Sequence, residues 1–252
     1  MRKFLLATAV VTSAATTAFA ADIPVKAPVA PAAFNWTGCY FGAVGGENWG
    51  RSSQVARSGA RSGLPITGDF DLSGAIAGGT VGCNIEVDNF VYGAEADLSS
   101  TNTKGSAFDQ PPFIATTTSA TREKWADTLR GRFGYAIDQF MVYGTAGVTT
   151  ARVGVDISNP AFVTVSDIQN RSGWTAGAGG EWAVWTAPWG ALTLKLEYLH
   201  ADYGTGQFVN PPVLTTAGST VATRDVKLTN DMVRVGMNVL FNLGGTAPAA
   251  KQ

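Results

Sequence analysis

One histidine, two cysteines and 15% charged residues in 252 positions are scarcities that exclude a good deal. The lone His200 cannot assemble a zinc site of the usual composition, and no GxSxG, CxxC or HExxH spacing occurs. A net charge of −1 leaves no basic field of the kind that binds nucleic acid. Long apolar runs are missing too, since no stretch approaches the roughly 20 consecutive apolar residues that a membrane-crossing helix needs. No repeat is visible at solenoid or propeller periods. No cofactor, no metal and no nucleic-acid partner are therefore expected.

What is present begins with an export address. Arg2 and Lys3 precede an apolar run from Phe4 to Ala15, and Ala18-Phe19-Ala20 fits a small-x-small cleavage site. Residues 1–20 read as a signal peptide. Residues 21–33, with Pro24, Pro28 and Pro31, read as an extended periplasmic leader. Residues 34–241 hold the folded domain, and 242–252 read as a flexible tail.

Within that domain the dominant signal has a period of two. Eight strands are predicted: about Asn35 to Asn48, Leu72 to Glu86, Phe90 to Ser100, Lys124 to Ile137, Phe140 to Arg152, Gly173 to Trp185, Ala191 to Asp202 and Lys227 to Phe241. Connections after odd strands are long and polar, whereas those after even strands are very short, as at Val87-Asp88-Asn89 and Asp138-Gln139. That alternation predicts an all-β, eight-stranded antiparallel up-and-down barrel in an outer membrane, with both termini in the periplasm.

Parity sorts the residues between two faces. In the fourth strand Leu129, Phe133 and Tyr135 oppose Thr128, Arg130, Arg132 and Gly134; in the seventh Leu192, Leu194, Leu196 and Tyr198 oppose Thr193, Lys195 and Glu197. The apolar face must meet lipid, because Arg or Lys at the bilayer midplane costs about 2–4 kcal/mol. Aromatics near strand ends suggest two interfacial girdles: Trp49, Trp125, Trp174 and Tyr203 on the loop side, and Phe34, Trp36, Phe90, Phe140, Trp185, Trp189 and Phe241 on the turn side.

Several blocks together resemble the small alphaproteobacterial outer-membrane surface proteins, the porin-family or OmpA-like β-barrel proteins. They are Asn35-Trp36-Thr37-Gly38-Cys39-Tyr40, Gly78-Gly79-Thr80-Val81-Gly82-Cys83-Asn84, Tyr92-Gly93-Ala94-Glu95-Ala96-Asp97, Leu129-Arg130-Gly131-Arg132-Phe133-Gly134-Tyr135-Ala136, Gly173-Trp174-Thr175-Ala176-Gly177-Ala178-Gly179, Lys195-Leu196-Glu197-Tyr198 and Val233-Arg234-Val235-Gly236-Met237-Asn238. The resemblance implies a surface-exposed barrel contributing to envelope integrity, with porin-like transport of small solutes or loop-based ligand binding as alternatives. It implies outer-membrane lipid, lipopolysaccharide and the barrel-assembly machinery as partners, and leaves the oligomeric state open. Members commonly end on the aromatic residue that closes the last strand, whereas here residues 242–252 follow Phe241. No peptidoglycan-binding domain follows the barrel, so wall anchoring is not expected.

Inward parity collects a charge lattice of Glu95, Asp97, Arg130, Arg132, Glu181, Lys195, Glu197 and Arg234. Pairing of the third and fourth strands about residue 113 would set Glu95 opposite Arg132 and Asp97 opposite Arg130, and Glu197 can face Arg234. Such a lattice is either the polar packing of a narrow lumen or a selectivity region. Cys39 and Cys83 share the outward parity on neighbouring strands; they are either a disulfide or two small lipid-facing side chains. His200 with Asp202 is the only pair worth testing for catalysis, and it lacks a convincing nucleophile.

Overall fold

A computed structural model describes residues 34–160, 162–209 and 223–242. The signal peptide and leader, and the tail beyond Asn242, lie outside the described residues. Nine strands follow in order: β1 (Gly38–Ala56), β2 (Phe70–Val87), β3 (Phe90–Thr101), β4 (Lys104–Phe108), β5 (Thr118–Ile137), β6 (Phe140–Asn159), β7 (Phe162–Ala187), β8 (Gly190–Val209) and β9 (Thr223–Phe241). Every pairing is antiparallel, and β1 pairs with both β2 and β9, so the sheet closes. Because β3 and β4 occupy successive stretches of one position between β2 and β5, the ring has eight strands. Around the apolar belt closure leaves no sheet edge unpaired, which a strand in lipid requires, whereas toward the loop end β7 and β8 no longer pair beyond Trp174 and Asp202.

At one end the strands are joined by two-residue turns, Asp88-Asn89, Asp138-Gln139 and Pro188-Trp189, with Val87 paired to Phe90, Ile137 to Phe140 and Ala187 to Gly190. Asp88 and Asp138 sit at φ 57° and 53°, in the left-handed region that aspartate tolerates better than branched or bulky residues. Phe34 and Asn242 lie at this turn end as well, hydrogen-bonded to Asp138 and Trp189.

The strands reach much further toward the loop end than the sequence suggests. The expected long connections at about 50–71, 101–123 and 153–172 shrink to residues 57–69, 109–117 and 160–161, and residues 203–209 and 223–226 of the fourth are strand as well. The physical reason is a reversal of polarity along the barrel. Toward the turn end the exterior is apolar, with Phe41, Val81, Leu129, Phe133, Leu196 and Val235 exposed, while charged groups fill the interior. Toward the loop end the exterior carries Arg51, Asp71, Arg152 and Lys227, while Leu72, Val153, Val155, Phe208, Val226 and Leu228 pack inside. A strand leaving the bilayer obeys the soluble rule of apolar-in and polar-out. Polar side chains at every second position there mark a solvated wall rather than a loop.

The register slips at Ile157/Asn159 between β6 and β7, at Ala183/Trp185 between β7 and β8 and at Asp202/Thr205 between β8 and β9, and one further dislocation interrupts a strand. β3 breaks at Asn102-Thr103, and beside it the register of β5 slips between Glu123 and Ala126, so Lys124 and Trp125 both turn outward.

Inside, side chains stack in layers. An apolar floor at the turn end joins Trp36, Tyr40, Val91, Ala136, Met141, Tyr143, Ala183, Ala191 and Leu240, with Phe34 packed against it. The charged residues lie above it. A second apolar cluster, including Leu72, Ile76, Ala151, Leu199, Tyr203 and Met232, closes over them. Burying each large aliphatic side chain contributes about 1.5–3 kcal/mol, so both layers favour a filled interior over a wet one.

Candidate functional site

The charge lattice gathers into one cage. Arg130 is its hub: Nη2 donates to Glu95 Oε1 at 2.5 Å and to Asp97 Oδ2 at 2.6 Å, and Nη1 donates to Glu197 Oε1 at 3.0 Å. From β9, Arg234 Nη2 reaches Asp97 at 2.9 Å and Glu197 at 2.5 Å, while Lys195 Nζ on β8 donates to Glu95 Oε2 at 2.8 Å. Arg132 binds Glu181, whose other oxygen accepts from Thr193 at 2.5 Å and Asn238 at 2.9 Å. Four carboxylates thus face four cations, all with side chains at most 3% exposed. Neutrality is what lets such a cluster stand in a confined space, since an uncompensated charge there is expensive.

The register differs from expectation by two residues. Glu95 stands opposite Arg130, Asp97 opposite Thr128 and Arg132 opposite Gly93. Between β4, where Lys104 meets Arg122, and β3, where Ser100 meets Trp125, the pairing against β5 steps by one residue at Asn102-Thr103, which a turn-centred count cannot include. Glu197 stands opposite Arg234.

Two tyrosines that sequence reading passed over complete the cage. Tyr40 Oη donates to Glu95 at 2.7 Å, and Tyr143 Oη donates to Glu197 at 3.1 Å. The Arg132 guanidinium lies 3.7 Å from the centre of the Tyr143 ring, a stacked cation–π contact. Both rings lie flat because the wall beneath them is glycine: a Cβ on Gly82 would meet Tyr40 Oη at 2.4 Å, and one on Gly179 would meet Tyr143 Oη at 2.6 Å. Inward parity of a tyrosine directly opposite a glycine on the neighbouring strand was the available signal.

Among the girdle candidates, Trp49, Trp174, Trp185 and Phe241 are exposed on the exterior and Trp125 is partly exposed there. Trp36 is not a girdle residue. It is 1% exposed in the floor, its indole N–H donating to Asp138 O at 3.1 Å and its backbone N–H to Glu86 Oε2 at 2.6 Å. The chain ahead of β1 folds back under the lumen, which strand parity cannot foretell. Tyr203 also turns inward, 2% exposed, after a register slip beyond Asp202.

Toward the loop end lie two further buried ionisable groups. Glu123 is held by Asn230 Nδ2 at 2.5 Å without a cation, and burial pushes its carboxyl up to about 7. Arg224 donates to Gln54 Oε1 at 2.6 Å and Ser119 Oγ at 2.9 Å, and burial lowers its guanidinium to about 10.

His200 pairs with Asp231 of the neighbouring strand, Nδ1 to Oδ1 at 2.8 Å, rather than with Asp202, whose carboxylate accepts from Gly204 N. Tyr198 Oη donates to the same Asp231 oxygen at 2.5 Å, and the Trp174 ring lies 5.4 Å from His200. Cross-strand adjacency in the sheet selects Asp231, where sequence proximity suggested Asp202. Among the described residues no group of three or more His, Cys, Asp and Glu could hold a metal ion. Cys39 stands opposite Cys83 on the exterior of β1 and β2, and their sulfurs are bonded.

A closed eight-stranded barrel with an apolar belt outside and charge inside is a membrane β-barrel. The chain belongs to the outer membrane protein beta-barrel domain family, whose profile matches residues 5–241. It is 34% identical over 243 residues to the 31 kDa outer-membrane immunogenic protein of Brucella melitensis, covering 90% of this chain and 95% of that one. It is 29% identical over 178 residues to the 22 kDa outer membrane protein of Rhizobium leguminosarum bv. viciae, covering 71% and 69%. Among solved structures it is similar to the outer membrane protein OprG from Pseudomonas aeruginosa, with TM-score 0.45 and 13% identity over 81% of this chain and 97% of that one.

Proposed function

We propose that this protein is a closed structural barrel of the outer membrane, which reinforces the envelope and displays its loops at the cell surface. The observation that carries this reading is the burial of the neutral cage between two apolar layers. A conducting lumen needs wettable walls from end to end, whereas here eight charged groups satisfy one another with almost no exposed surface. The turn end, with both ends of the described barrel, is assigned to the periplasm, in keeping with the short turns such barrels keep there. Outer-membrane lipid and the barrel-assembly machinery follow as partners. The Brucella relatives' description as immunogenic supports surface display.

Planar-bilayer recording on refolded protein tests the reading. No sustained conductance is expected. Steady channels whose ion preference shifts in an Arg130→Gln/Arg132→Gln variant would replace it with a narrow porin.

A further inference from the structure

We propose that the outward face of β4, β5 and β6, just beyond Trp125, binds the phosphorylated head of a membrane glycolipid. The dislocation in the wall builds this place. Lys104 on β4 is paired in register with Arg122 on β5, and the slip that follows brings Lys124 and Trp125 out beside Arg152 on β6. Arg122 is engaged by Asp156 at 3.1 Å and Ser166 at 3.0 Å. Lys104, Lys124 and Arg152 are exposed and have no ion-pair partner among the described residues. Three free cations therefore stand on adjacent strands, with Lys104 and Lys124 roughly 7–8 Å apart at Cα as diagonal neighbours.

Below the cations the surface turns apolar in a graded way. A notch of about 400 Å³ runs from Lys124 past Trp125, Ser100 and Asp127 to Leu98. Leu129 and Val148 continue into the lipid-facing belt. An amphiphile would lay its anionic head against the lysines and its chains along the leucines. Elsewhere on the wall Arg51 lies 3.5 Å from Asp71 and Arg57 lies 3.0 Å from Asp225, and the exposed Lys227 has no second unpaired cation beside it on its own strand.

Asp127 narrows the chemistry. It lines the same notch, so a head that fills the notch meets a carboxylate as well as the cations. A phosphodiester without hydroxyls offers that carboxylate no donor, whereas an amide- or hydroxyl-bearing sugar phosphate supplies both an anion for the cations and a donor for Asp127. The inference rests on the membrane placement proposed above, but not on whether the lumen conducts.

The test uses folded protein in an uncharged detergent, titrated with bisphosphorylated lipid A, its dephosphorylated form or phosphatidylmethanol, an anionic phosphodiester without a hydroxyl, and read by native mass spectrometry. Wild type should prefer the bisphosphorylated glycolipid. The Lys104→Gln/Lys124→Gln/Arg152→Gln variant should bind it at least about tenfold more weakly, as expected for losing three surface cations. Asp127→Asn should weaken the glycolipid and leave phosphatidylmethanol unchanged. Lys227→Gln, which removes an exposed cation of β9, should bind as wild type does. The proposal is overturned if the triple variant matches wild type, if Lys227→Gln costs as much, or if phosphatidylmethanol binds as well as lipid A. Because binding is read in detergent, failure here leaves the conductance result untouched.

Discussion

Replacing Arg130 by glutamine should be the most damaging single change in the barrel interior. The substitution removes the donors to Glu95, Asp97 and Glu197 together and takes the cage from four cations to three against four carboxylates. Each carboxylate keeps one partner: Lys195 for Glu95, Arg234 for Asp97 and Glu197. The loss is therefore that of one uncompensated buried charge, not three, or about 3–5 kcal/mol. At about 2–4 °C per kcal/mol for a domain of this size, the apparent unfolding midpoint should fall by roughly 10 °C. Heat-modifiable migration in detergent gels, followed against temperature, reads that midpoint. The decisive comparison is the charge-balanced Arg130→Gln/Glu197→Gln double variant, which should recover at least half of the loss despite carrying one more substitution. Additive destabilisation in the double variant would refute neutrality as the organising requirement, and the cage would then be ordinary hydrogen-bonded packing.

Other outcomes follow from the same structure. Glu123 is raised to about 7, so the folded state holds its proton over a range where the unfolded chain has released it; the stability it confers is present below the ordinary carboxyl value and lost as pH rises through about 7. Glu123→Gln should flatten that dependence between pH 5 and 8 and raise the midpoint at the alkaline end, whereas an unchanged slope would disprove the assignment. The Cys39–Cys83 bond closes a 44-residue separation, so Cys39→Ser/Cys83→Ser should lower the stability by up to a few kcal/mol while leaving the barrel heat-modifiable. Alkylation of both cysteines in native, unreduced protein would count against the bond. Trypsin applied to intact cells should cut in the 57–69 connection, at Arg61, and spare Arg122 inside β5; cleavage at Arg122 would mean that the wall ends at the bilayer.

The residues themselves determined the closed eight-strand ring, the lipid-facing parity and the membership of the cage. A period of two, broken by turns as short as Asp138-Gln139, leaves few other ways to satisfy a backbone in lipid. Side-chain chemistry at alternate positions then says which face is wet, as Arg130 and Arg132 against Leu129 and Phe133 do. Tertiary structure alone decided how far the wall rises, because Val153 and Val155 read as a loop until one sees that they join Leu72 and Phe208 in one cluster inside a barrel already clear of the bilayer. It alone decided register as well, since a turn-centred count misses the one-residue step between β4 and β3, and Glu95 meets Arg130 rather than Arg132. The placing of Trp36 under the lumen and of Asp231 beside His200 depends on chain reversal and strand adjacency. Those contacts are non-local, and a linear pattern carries only the periodicity of a residue's own strand.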